Sequence, residues 1–67
     1  MEEYQLRVIE ERDQLADRLT KLEDFLSSSK RESASILQQE LMWNQLEGMR
    51  LYLSALKERI EDFKASQ

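Results

Sequence analysis

Sixty-seven residues with no proline, cysteine or histidine, and with Gly48 as the only glycine, exclude most architectures before any pattern is read. Turn-rich β-folds lack their turn residues, disulfides are impossible, and the usual nitrogen and sulfur ligands of zinc are missing. Charged residues make up 36% of the chain and the net charge is −4, a balance that suits long helices and repels DNA or RNA polymers. A small anion needs only a local cluster of cations. Residues 1–67 form one domain at most, and without a covalent or metal staple so short a chain is expected to gain its stability by assembling with itself. No apolar run reaches the roughly 18 residues of a membrane span, and the N-terminus lacks a signal-peptide pattern. The simplest expectation is a cytosolic protein.

The first element is a helix over about 2–27. Val8, Leu15, Leu19, Leu22 and Leu26 form one stripe, and Arg12 interrupts it between Val8 and Leu15. Either the arginine stem lies over the core edge with its head in water, or the head meets a partner. The run Ser27-Ser28-Ser29-Lys30-Arg31 breaks the helix, because serine hydroxyls compete for backbone hydrogen bonds. Ser29 with Glu32 fits a reciprocal capping box, which predicts a second helix over about 30–65. Its stripe is cleaner: Met42, Leu46, Met49, Leu53, Leu56, Ile60 and Phe63 alternate steps of four and three. Leu41, Tyr52 and Ala55 widen that face beyond what one helix covers. A short connection makes the helices antiparallel neighbours. The fold class is therefore all-α, an antiparallel two-helix hairpin assembling into a compact homo-oligomer. Gly48 marks either a close approach of another helix or a tolerated weak point.

Catalytic chemistry is poorly served. There is no His or Cys to act as base or nucleophile, no glycine-rich phosphate loop and no metal-ligand spacing, so the chain reads as a non-enzyme without cofactor or metal. One constellation stands out. Tyr4, Arg7, Arg18 and Lys21 fall within about 100° of arc on the first helix. A ring with several cations is what a stacked base and its phosphates need. The alternative is ordinary: Arg7 and Lys21 pair with Glu3 and Asp17, and Tyr4 packs at the helix end. Tyr4 and Arg18 lie about 21 Å apart along the helix, too far for one dinucleotide. If two first helices cross antiparallel in a dimer, Tyr4 of one copy approaches Arg18 and Lys21 of the other. Trp43 and Tyr52 read as core or interface, and Arg50 and Arg59 as solvated charges or a second anion site.

Arg7-Val8-Ile9-Glu10-Glu11-Arg12-Asp13-Gln14-Leu15, followed by Arg18-Leu19-Thr20-Lys21-Leu22 and Phe25, resembles the first helix of the phage anti-CBASS sponge hairpin. CBASS is a bacterial antiphage defence that signals with cyclic oligonucleotides. Gln45-Leu46, Met49, Tyr52, Leu56, Arg59-Ile60 and Phe63 resemble its closing pattern, and a Thoeris anti-defence sponge has a similar hairpin. The resemblance implies a homohexamer in the host cell cytoplasm that holds cyclic dinucleotides such as cyclic GMP-AMP, uncleaved, between paired first helices. Some members take cyclic trinucleotides at separate sites. Tyr4 would stack on a base and Arg18 or Lys21 would contact phosphate, while Thr20 and Arg59 would serve the second type of site. The chain departs from that pattern in its short serine-rich connection and in carrying Arg18 where lysine is common. The competing expectation is a structural or adaptor coiled coil that binds partner helices through the broad face of the second helix.

Overall fold

The computed structural model describes residues 1–65. Two α-helices account for most of them: α1, Glu3–Ser27, and α2, Ile36–Ala65, with a short 3-10 helix, Ser29–Ser33, between. The hairpin is antiparallel. Tyr4, at the start of α1, meets Phe63 near the end of α2, and Glu23, near the end of α1, pairs with Arg50 at 3.1 Å.

Local chemistry explains where each helix starts and stops. Gln5 Oε1 accepts from the Glu2 backbone N–H at 2.8 Å, satisfying a donor just ahead of the first turn. At the other end of α1, Ser28 takes an extended backbone and donates its own N–H back to the Phe25 carbonyl. The Arg31 guanidinium donates to the Leu26 carbonyl at 3.1 Å, placing a positive charge on the negative end of the helix. Helix α2 begins at Ile36, later than the Ser29–Glu32 box predicts. Ser28 starts the intervening turn by accepting from the Lys30 N–H, and the Ser33 hydroxyl donates to the Lys30 carbonyl at 2.8 Å. Such side-chain bonds favour a short 3-10 turn over a continuing helix. The effective N-cap is Ser35. The Ser35 hydroxyl accepts from the Gln38 N–H at 3.1 Å, and its carbonyl accepts the first helical bond from Gln39.

The two stripes meet as their spacing requires. Val8, Leu15, Leu19 and Leu26 of α1 are buried against Leu46, Leu53, Leu56, Ile60 and Phe63 of α2. Leu22, Met42 and Met49, also in the stripes, are half-buried at the margin. Arg12 is half-buried, and its Nε donates to the neighbouring Asp13 carboxylate at 2.8 Å. No polar or charged side chain is buried among the described residues.

One seam is all that a single chain buries. Since α1 ends level with Leu46, roughly ten residues of α2, about 15 Å, project beyond it with only the 3-10 turn alongside. Ile36, Leu37, Leu41 and Trp43 on that projection are exposed, Ile36 at 77%. Leu51, at 75%, and Tyr52 are exposed as well. One chain leaves these apolar side chains uncovered. Gly48 has no atom within 4 Å of where a Cβ would stand, so within one chain nothing approaches it closely.

Candidate functional site

Helix α1 carries the candidate residues on the flank of its apolar stripe, and all of them are exposed. Tyr4 is 54% exposed and touches Phe63 edge-on, with ring centroids 5.7 Å apart and planes at 86°. That contact anchors the ring without covering it. Arg7 Nη2 bonds Glu3 at 2.8 Å and Lys21 Nζ bonds Asp17 at 2.9 Å, both with four-residue spacing on an exposed surface. Pairs of that kind stabilise a helix by only about 0.3–0.5 kcal/mol, so either cation leaves its carboxylate at small cost. Arg18 makes no ion pair among the described residues.

The other two candidates are not joined within one chain. Thr20 donates its hydroxyl to the Ala16 carbonyl at 3.1 Å, a local helix bond. It lies about 24 Å along α1 from Tyr4. Arg59 is one turn from Phe63, which packs on Tyr4, and it too has no ion pair among the described residues. A site using both Thr20 and Arg59 therefore draws them from different copies.

The end of α1 holds a concavity. Lys21, Asp24, Phe25, Ser28 and Lys30 line an open groove of about 440 Å³, within the size range of small-ligand sites. Lys21, Asp24, Phe25 and Ser28 share one helix face by their three- and four-residue spacing. Phe25 is half-buried and supplies an apolar wall. Lys30 arrives from the 3-10 turn. Sequence reasoning gave Lys21 a role but none to Asp24, Ser28 or Lys30. The face of α1 was readable from spacing; Lys30 was not, because a helix starting there does not fold back on α1.

A groove with two lysines beside an aromatic wall, and an exposed row of Tyr4, Arg7 and Arg18 on the same helix, can hold an anion that carries a flat ring. Residues 2–62 match the model of the Sequestin family. The chain belongs to the Sequestin family. A relative of this Sequestin chain from Enterobacteria phage T4, the "Uncharacterized 7.5 kDa protein in denB-rIIB intergenic region", is 43% identical over 61 residues. The match covers 91% of this chain and 95% of the phage protein. No solved structure matches this Sequestin chain. No helix among its described residues is long and apolar enough to cross a membrane.

Proposed function

We propose that this chain is a phage-encoded sponge. It binds cyclic dinucleotides such as cyclic GMP-AMP, and cyclic trinucleotides at separate sites, and holds them uncleaved in the cytoplasm of the infected cell. The CBASS effector is thereby deprived of its activator. The observation that carries this reading is the exposed cation-and-aromatic flank of α1, running from Tyr4 through Arg7, Arg18 and Lys21 to the groove beside Phe25. The family description, with its sense of sequestering, and the phage T4 relative favour the same role. A chain without His or Cys suits storage of the ligand better than its hydrolysis.

Self-assembly is part of the proposal. The working form is a homohexamer whose dinucleotide sites lie where first helices of different copies meet. The exposed Ile36, Leu37, Leu41 and Trp43 offer apolar area for such joins. The same exposed side chains favour a second reading, an adaptor that binds helices of other proteins. Calorimetry with a panel of cyclic di- and trinucleotides separates the two. The sponge binds at least one of them more tightly than about 10 μM, roughly −7 kcal/mol. An adaptor binds none, and that result ends the sponge reading.

A further inference from the structure

The groove at the end of α1 contains two opposite charges that leave each other alone. The Asp24 carboxylate and the Lys30 ammonium both line it, and neither makes an ion pair among the described residues. Lys21, the remaining cation, is occupied by Asp17 at 2.9 Å. The half-buried Phe25 ring lines the same groove. An empty acceptor, an empty cation and an aromatic wall in one groove make a specific demand on a ligand. It must present a flat ring, an anion on one side, and hydrogen-bond donors on another.

We propose that this groove is a guanine-nucleotide subsite, in which Phe25 stacks the base, Asp24 reads its edge, and Lys30 takes the phosphate. The proposal rests on the sponge reading for the class of ligand and adds which base the site prefers and which residues select it. An ionised carboxylate only accepts hydrogen bonds, and its two oxygens accept side by side. Guanine offers two adjacent donors on its pairing edge, N1–H and the N2 amino group. Adenine offers a donor beside a ring-nitrogen acceptor, which sets a lone pair against a carboxylate oxygen. Cytosine has the same mismatch, and uracil flanks its one N–H with two carbonyls. Only guanine satisfies both oxygens of Asp24. A site built around such a pair rejects a ligand that leaves it unpaired. Lys30, being unpaired, contributes its full charge to phosphate, whereas Lys21 must first release Asp17. The 3-10 turn is what makes this possible, since Ser28 holds the Lys30 N–H with its hydroxyl at 3.2 Å and so fixes the start of that turn beside the groove.

Calorimetry with cyclic di-GMP and cyclic di-AMP, on the wild-type chain and on Asp24→Asn and Lys30→Ala, tests the assignment. Wild type prefers cyclic di-GMP. Asp24→Asn, which turns one acceptor into a donor and so matches adenine, loses that preference and gains affinity for cyclic di-AMP. Lys30→Ala weakens both ligands about tenfold, the scale of one charge-assisted hydrogen bond, and flattens the salt dependence of binding. Both positions are exposed, and circular dichroism confirms that helix content is unchanged. Wild-type preference for cyclic di-AMP, or variants that bind as wild type does, overturns the subsite and leaves the sponge standing. Failure of the wild-type chain to bind any cyclic nucleotide overturns both.

Discussion

Leu46→Ala measures how much of the hairpin depends on its single seam. Leu46 is 0% exposed and lies at the level where α1 ends, alongside Leu26, which is also 0% exposed. Truncation removes the apolar bulk of the side chain, worth about 2–2.5 kcal/mol at about 0.8 kcal/mol per methylene. A cavity adds to that unless the neighbours close it. Here the half-buried Met42 and Met49 lie one turn to either side, and methionine is the side chain best able to refill a gap. The expected loss is therefore about 2.5–3.5 kcal/mol, in the lower half of the range for buried leucines. Urea unfolding followed by far-UV circular dichroism, at one fixed chain concentration, reads it. Leu46→Met, which conserves volume, costs less than about 1.5 kcal/mol and shows that the site tolerates substitution without losing the fold. A loss below about 1 kcal/mol for the alanine variant would refute this packing account.

Three further outcomes follow from particular contacts. Gly48→Ala adds a methyl into open space on a helix and raises stability by about 0.5–1 kcal/mol in the same unfolding assay; a loss instead means that another copy's helix lies against Gly48. Arg31→Ala removes the guanidinium from the Leu26 carbonyl and costs about 1 kcal/mol, read as a lower thermal midpoint, with no change showing that water serves that carbonyl equally well. Tyr4→Ala combined with Arg18→Ala abolishes cyclic dinucleotide binding in calorimetry and leaves the helix content intact; retained binding removes both residues from the site.

The hairpin was legible because its stripes are regular. A residue repeat of three and four from Met42 to Phe63 leaves one way to bury those side chains, and α2 buries or half-buries every one of them. Local hydrogen bonding was harder to read. The segment holds two boxes of the same form, Ser29 with Glu32 and Ser35 with Gln38. The second wins because the serines at 28 and 33 spend their hydroxyls on the turn, and because apolar residues follow Ser35 directly. Misplacing that start hid the groove, whose far wall is Lys30. Arg7 and Lys21 show another limit. Spacing places them beside Glu3 and Asp17, and the structure places them there too, yet a weak exposed pair says nothing about whether an anion replaces the carboxylate.

The dinucleotide site proposed between first helices depends on chains meeting one another, because one copy leaves Ile36, Leu51 and their neighbours in water and holds Tyr4 and Arg18 on separate stretches of α1. Sedimentation velocity at micromolar chain concentration, with and without a cyclic dinucleotide, addresses that dependence directly. A multi-chain species that carries the nucleotide with it is the predicted result. A well-folded single chain at the same dilution would contradict it.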